Sequence, residues 1–423
     1  MNAPGTISVQ PSSLRRGACP GLSAPMQTGD GLLARLTPAG STISLDAFAD
    51  LCAAAKTHGN GIVEVTSRGS IQVRGLSAAS APLFAADVAS LGIDASDGIA
   101  VLASPLSGLG DHERLDALTL AAETRAALAA TPVAARLSAK VSVVIDGGGT
   151  LHLDGVPADI RLRAVGPAHV HIALAGDAEG AMPLGVVALE HAAKCVVRLF
   201  ETLAGTSPNA RMRDAIKDDR LEAFRAAICD FLIDFPDPPR RRAADPIGVR
   251  RLSQVSYVWG VGLPFGHSDS ETLLRLIAAA REAGASGLRT APGRALLLVG
   301  LSATTARPLA AEARKIGFIV DAADPRRRVV ACAGAPICGS GEIAARALAP
   351  ALSDAASGLL AEEVLHVSGC AKGCAHSRPA AVAVFGRDGC CDVFVDGALS
   401  CSVPEGALPE RIAQIVRARG ASR

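Results

Sequence analysis

Cys332, Cys338, Cys370 and Cys374 carry the strongest chemical signal in the chain: they form Cys-x5-Cys and, after 31 intervening residues, Cys-x3-Cys. That pair of spacings is not the repeated short step of a zinc finger. The segments that hold them, Ala331-Cys-Ala-Gly-Ala-Pro-Ile-Cys-Gly339 and Ser368-Gly-Cys-Ala-Lys-Gly-Cys-Ala-His376, are rich in Gly, Ala and Pro. Small residues let backbone N–H groups approach the sulfides of a cluster and hydrogen-bond to them, which sets its potential. Four thiolates in two such loops suit a [4Fe–4S] cluster. The competing reading is that these are small buried hydrophobes, as unligated cysteines usually are. It fits the other cysteines better: Cys52, Cys195 and Cys229 fall on apolar helix faces, and Cys390, Cys391 and Cys401 in a terminal hairpin. Cys19, ahead of a Pro in an N-terminal arm, has no role assigned.

Composition narrows the function classes. Of 423 residues, 42 are Lys or Arg and 41 Asp or Glu, a net charge of +1, so no global field favours nucleic acid or an anionic membrane. Aromatics make up 3%, too few to build base-stacking platforms. There is no run of ~18 uncharged apolar residues and no apolar stretch after Arg15 and Arg16 to make an export signal, so a cytoplasmic, reducing location is expected. Eleven cysteines in such a compartment point to metal rather than to disulfides.

The elements that position these residues repeat. In the first copy, Gly31 to Leu36 reads as a strand, Ser44 caps a helix from Leu45 to about Thr57, Gly59 stops it, and strands Ile62 to Val65 and Ile71 to Arg74 flank the turn Thr66 to Ser70. In the second, Val258 to Leu263 is the strand, Ser268 caps a helix from about Glu271 to Ala283, Gly284 stops it, and strands Leu288 to Thr290 and Ala295 to Val299 flank Pro292-Gly293. The stop glycines lie 225 positions apart and the turn glycines, Gly69 and Gly293, 224. With a further helix after each (Ala79 to Leu91; Ala303 to Ile316), each copy is a ferredoxin-like half-domain followed by a longer α/β stretch. The first stretch includes a helix read over Gly185 to Leu203 and a strand over Leu151 to Leu153; the second includes a helix from Glu342 to Leu352. The expected division is an arm (1–20), half-domain 1 (21–92), α/β domain 1 (93–235), a Pro-rich exposed linker (236–247), half-domain 2 (248–318) and α/β domain 2 with the cluster (319–423). The linker's triplet Arg240-Arg-Arg242 reads as a solvated face.

Duplicated half-domains with these cysteine loops resemble the sulfite/nitrite reductase superfamily, whose Thr-x-Arg-x-x-x-Gln signature is matched by Thr66-Ser-Arg-Gly-Ser-Ile-Gln72. The resemblance implies an α+β fold of pseudo-two-fold, duplicated sulfite/nitrite reductase type, two ferredoxin-like half-domains plus two larger α/β domains. Arg15-Arg-Gly-Ala-Cys-Pro-Gly21, Pro25-Met26, Thr28-Gly-Asp-Gly-Leu-Leu-Ala-Arg35, Ser104-Pro-Leu-Ser-Gly108 and the second cysteine loop are more narrowly similar to the precorrin-3B synthase family of aerobic cobalamin biosynthesis. The reductases bind a small anion with two arginines and a Lys-x-Lys pair; here Arg68 and Lys140 match, but Ile99 and Ser142 stand at the other two positions. Half the cations are missing, which disfavours inorganic anion reduction.

What the resemblance implies is an O₂-dependent monooxygenase that hydroxylates a meso carbon of precorrin-3A with lactone formation. Cys332, Cys338, Cys370 and Cys374 would hold the cluster, and the macrocycle would occupy the pocket that holds sirohaem in reductases. Its carboxylates call for cations: Arg68 and Lys140 as catalytic and substrate-binding residues, with Arg74, Arg289 and Lys372, and further candidates in Arg161, Arg163, Arg211 and Arg213. O₂ activation suggests a mononuclear non-haem iron as well, for which His169 and His171, one residue apart on a strand, would be ligands with Asp146, Asp154 or Asp159. His366 and His376 read as neighbours of the cluster. No Gly-rich dinucleotide fingerprint is present, so electrons would come from an external ferredoxin or NAD(P)H-dependent reductase. A sirohaem-dependent reductase and a non-catalytic iron–sulfur scaffold remain the alternatives.

Overall fold

The computed structural model describes residues 20–38, 40–93, 98–110, 113–217, 220–376 and 378–421. Residues 1–19 of the arm, Cys19 among them, lie outside the described residues. The chain divides into two compact units, one of 20–25 and 34–320, the other of 26–33 and the stretch from Asp321 onward. Among the described residues no helix is long and apolar enough to cross a membrane.

The first half-domain runs β1 (Met26–Thr28), β2 (Gly31–Leu36), α1 (Leu45–His58), β3 (Ile62–Val65), β4 (Ile71–Leu76) and α2 (Ser80–Ser90). Ser44 caps α1 by accepting from Ala47 N at 3.0 Å. Leu45, Phe48, Leu51, Cys52 and Ala55, at helical spacing, form its buried face. β4 lies between β2 and β3.

Next come β5 (Ala100–Ala103), α3 (Ala117–Ala129), β6 (Ser142–Asp146), β7 (Ala158–Ala164), β8 (His169–Gly176), β9 (Met182–Ala188), α4 (Ala192–Ala204), α5 (Met212–Lys217), α6 (Leu221–Ala227) and β10 (Leu232–Ile233). The strands form one sheet in the order β10-β9-β8-β7-β6-β5. Alternate residues of β6, β7 and β8, among them Val143, Ile145, Ile160, Leu162, Val170 and Ile172, join α3 and α4 in one core. The opposite face carries Ser142, Val144, Asp146, Arg161, Arg163, His169 and His171. The helix expected from Gly185 begins instead at Ala192. Pro183 and Gly185 (φ 136°) disfavour helix, and Val186 and Val187 pair with β8 and β10. Leu151 and Leu153, read as a strand, are buried plugs in the β6–β7 loop.

The second half-domain comprises β11 (Gly248–Arg251), β12 (Tyr257–Gly262), β13 (His267–Asp269), α7 (Ser270–Glu282), β14 (Gly287–Ala291), β15 (Ala295–Leu301) and α8 (Ala306–Ile316). Its order β12-β15-β14 repeats β2-β4-β3. The cap of α7 is Asp269, whose carboxylate accepts from Thr272 N at 2.8 Å. The expected cap, Ser268, lies within β13, and β13 pairs with β3 of the other half. The exchange is mutual. Ile43, between β2 and α1, makes reciprocal 2.8 Å backbone hydrogen bonds with Leu288 of β14. The turn glycines that revealed the repeat also meet: Gly293 N donates to Ser67 O at 3.0 Å, and a Cβ on Gly69 (φ 85°) would lie 3.1 Å from the Ala291 carbonyl carbon.

The other unit contains β16 (Val329–Ala331), α9 (Ala345–Ala355), β17 (Leu365–Ser368), β18 (Val382–Arg387), β19 (Cys390–Val395), β20 (Ala398–Pro404) and α10 (Leu408–Ala421), with the strands paired in chain order. The first three strands are parallel, and α9 packs on β16, β17 and α10. Helix α9 starts three residues later than the sequence suggests, because Glu342 and Ile343 hydrogen-bond through their N–H groups to Gly369 O.

Candidate functional site

Each cysteine pair follows the end of a parallel strand. β16 and β17 pair in register, Ala331 opposite Val367, so Cys332 and Cys370 start adjacent loops. Cys332 N donates to Val367 O at 3.0 Å, Glu342 N to Gly369 O at 2.7 Å, and Lys372 Nζ to Ser340 Oγ at 2.8 Å. Glycine makes this approach possible: a Cβ on Gly369 would lie 2.7 Å from Gly334 Cα, and one on Gly334 (φ 66°) 2.4 Å from Ala345 N. The turn between β1 and β2, part of the motif Thr28 to Arg35, buttresses the first loop, with Gly29 N donating to Ile337 O at 2.9 Å.

Gly369 N already donates to Cys332 Sγ at 3.0 Å, the kind of bond that tunes a cluster. Cys370 is buried, Cys332 and Cys338 half-buried and Cys374 exposed, and no disulfide forms among the described cysteines. Burial pushes the Cys52 thiol up to about 12 and Cys195 and Cys391 up to about 11, so these three keep their protons and serve as core. Cys229, expected in the core, is exposed just after α6. A set of four sulfurs on two glycine-packed loops of one unit fits an iron–sulfur cluster.

The same unit has a cavity of about 670 Å³ beside the second loop, lined by Ala371, Gly373, His366, His376, Phe385 and Phe394 among others, with Arg378 and Asp396 also on its wall. His366 is only 4% exposed, its Nε2 has no hydrogen-bond partner, and its ring stands edge-on to His376 and Phe385. Burial, reinforced by His376, pushes its pKa down to about 4, so it is neutral at pH 7.

In the larger unit, Arg68 and Arg289 line one small cavity of about 40 Å³. Arg68 Nη1 donates to Ser142 Oγ at 2.9 Å, so the serine at the second-lysine position is the arginine's partner. Arg289 is buried and donates to Thr42 Oγ1 (2.9 Å), Ser107 O (2.6 Å) and Pro105 O (3.3 Å), and burial pushes its pKa down to about 10. This accounts for the Ser104–Gly108 motif as an anchor. Arg74 is 5% exposed and faces Glu64 at 3.7 Å. Lys140 is exposed ahead of β6, and Lys372 belongs to the other unit.

The proposed iron ligands are not gathered. His169 stacks on Phe235, His171 Nε2 lies 3.7 Å from Asp237 Oδ1, and Asp159 is taken by a two-pronged contact with Arg211 (2.9 and 3.0 Å). Among the described residues, Asp146, His152 and Asp154 bring three ligand atoms within 4.8 Å of one another. Arg241 occupies that triad: its Nη2 contacts Asp146 and its Nε donates to Asp154 Oδ2 at 2.9 Å. With Arg161 Nη2 also 3.8 Å from Asp154, the carboxylates have their countercharge, and the residues do not fit a mononuclear iron. The linker arginines are therefore not all solvated: Arg241 turns inward and is 20% exposed. No local feature signals this, since its partners lie 87 and 95 residues away. Ser340, on the other hand, was within reach of sequence reasoning as a polar residue two positions from a loop cysteine.

The fold and the cysteine loops define a class. The nitrite/sulfite reductase ferredoxin-like half domain matches residues 24–91. The solved structure of the Mycobacterium tuberculosis NirA protein is similar at a TM-score of 0.75 and 20% identity, over 91% of this chain and 80% of that one. The chain therefore has the duplicated sulfite/nitrite reductase-like α+β fold that its sequence leads one to expect. A relative from a Sinorhizobium species, named precorrin-3B synthase, is 37% identical over 399 residues, 93% of this chain and 85% of the relative. The chain belongs to the precorrin-3B synthase family, a family of enzymes.

Proposed function

We propose that this protein acts in cobalamin biosynthesis, converting precorrin-3A to precorrin-3B by O₂-dependent hydroxylation of a meso carbon with lactone formation. One oxygen atom of O₂ enters the product and the other leaves as water, so two electrons and two protons are needed from an external ferredoxin or NAD(P)H-dependent reductase. The observation that carries this reading is the pair of glycine-packed cysteine loops in a chain 37% identical to a precorrin-3B synthase. Cys332, Cys338, Cys370 and Cys374 would hold a [4Fe–4S] cluster, which supplies one-electron transfer when bound.

The cavity beside the second loop supports the reading. Its volume falls in the range of small-molecule sites, about 300–1,000 Å³, and its Ala, Gly, Pro and Phe walls suit the faces of a macrocycle. Neutral His366 and the Phe385 and Phe394 rings would keep water from that surface. Arg68 and Lys140, on their motif positions, are assigned to anionic substrate groups. Arg74 and Arg289 are committed to partners within the fold and serve to position the half-domains. No step is assigned to a mononuclear iron.

Anaerobically purified protein should be brown, contain iron and acid-labile sulfide, lack haem absorbance, and convert precorrin-3A only with O₂ and a reductant. Full turnover under strict anaerobiosis would overturn the monooxygenase reading. Cys370→Ser should lose both iron and sulfide; wild-type levels of either would overturn the ligand set.

A further inference from the structure

We infer that Lys372 sets the potential of the cluster: its ammonium, hydrogen-bonded to Ser340 across the two cysteine loops, fixes one positive charge beside the thiolates and favours the reduced state. The inference rests on the cluster reading above. It reassigns a lysine that the sequence alone suggested for substrate carboxylates.

Lys372 lies two residues from Cys370 and two from Cys374, and Ser340 lies two residues past Cys338. Two residues of backbone span at most about 7 Å, so the short Ser340 side chain, and with it the ammonium held 2.8 Å from its Oγ, stays close to the Cys338 end of the first loop. The partner is a hydroxyl, which holds the ammonium in place without cancelling its charge. Among the described residues no carboxylate pairs with Lys372, and the nearby loop acid, Glu342, is engaged elsewhere, its Oε2 accepting from Asp388 N at 2.6 Å. The side chain is half-buried, where a charge acts more strongly than in bulk water. Reduction adds one electron to the cluster, and a fixed cation at this range stabilises the added negative charge. The Gly369 N–H directed at Cys332 Sγ works in the same direction but comes from the backbone; Lys372 is the part that a side-chain substitution can remove.

The test is a potentiometric titration of the cluster-loaded full-length protein, followed by the cluster's electron paramagnetic resonance signal, with iron and sulfide measured on each sample. Lys372→Met should shift the midpoint to more negative potential. At the wild-type midpoint, its ratio of reduced to oxidised cluster should fall about tenfold, equivalent to about 59 mV for one electron. Lys372→Arg should stay near wild type, and Ser340→Ala, which releases the ammonium into solvent, should shift the same way by less. An unchanged midpoint in Lys372→Met with wild-type iron and sulfide overturns the inference. If Lys372→Met fails to load, Ser340→Ala decides: a negative shift supports the assignment and an unchanged midpoint overturns it. Wild-type protein without iron and sulfide would instead overturn the cluster reading itself.

Discussion

The two larger sheets follow one plan and finish it differently. Each has a helix-covered face whose alternate residues form a core, and an opposite face with buried titratable groups. On the β5–β10 sheet that face is strapped by the segment before β11. Arg241 closes on Asp146 and Asp154, Arg163 Nη2 donates to Pro239 O at 2.7 Å, and His152 Nε2 lies 2.8 Å from Arg242 O. On the β16–β20 sheet the corresponding titratable group is His366, a neutral ring without a partner at its Nε2, beside a ligand-sized cavity. The contrast teaches how to sort buried polar residues. Where buried carboxylates meet guanidiniums the cluster holds the fold together; where a neutral buried ring without a hydrogen-bond partner borders open volume, the site is built for something else.

The largest effect should come from breaking the strap. Arg241→Ala leaves Asp146, 1% exposed, as a buried carboxylate without its partner. Loss of one partner of a buried pair costs about 3–5 kcal/mol, read as a fall in the thermal midpoint. Burial works against the Asp154 charge, but the hydrogen bond and charge of Arg241 outweigh it and hold that carboxyl below its usual range. Its contribution is thus present above the ordinary carboxylate pKa and lost as pH falls below it. The triple variant Asp146→Asn, Asp154→Asn, Arg241→Met should recover most of the stability. If the single variant is neutral, the strap is not a clasp.

His366 gives the next effect, with pH as the probe. Its native pKa of about 4 lies below the ordinary value near 6.5, so the unfolded chain takes up a proton that the folded one refuses. Stability from this group is intact above pH ~6.5 and declines by about 3 kcal/mol as pH falls to about 4. His366→Phe keeps the edge-on ring packing and removes the titration. Once their difference at pH 7 is subtracted, the wild-type thermal midpoint should fall below that of the variant as pH approaches 4; parallel curves would show that His366 is not held neutral.

Much of this was legible in sequence, and the reasons are local. The cysteine loops, the Ser44 cap and the 224-residue register of Gly69 and Gly293 depend on residue type and short-range geometry, and all take their expected places in the chain. What was not legible depends on distant partners. Nothing near Arg241 announces Asp146, nothing near Ser268 announces that it will pair with Val63 and leave the cap to Asp269, and the helical pattern of Gly185 to Leu203 hides a strand that only its neighbours β8 and β10 complete. Cys229 looked apolar by its helix neighbours, but the helix ends at Ala227. The iron ligands failed for the same reason: His169 and His171 share a face of β8, as their spacing requires, but the carboxylates beyond β7 face arginines.

The smallest effect sharpens the comparison from the other side. Asp237 lies on the strap and faces His171 at 3.7 Å, but its side chain is 79% exposed while that of His171 is 11% exposed. Burial lowers the His171 pKa, and Asp237 only partly opposes this, so at pH 7 the pair is a neutral ring beside a solvated carboxylate. An exposed contact of that kind contributes roughly 0–1 kcal/mol at most. Asp237→Asn should therefore move the thermal midpoint far less than Arg241→Ala. A comparable loss from both would mean that the strap is held along its length, and that the contrast between a single ionic clasp on one sheet and a neutral histidine beside open volume on the other is misplaced.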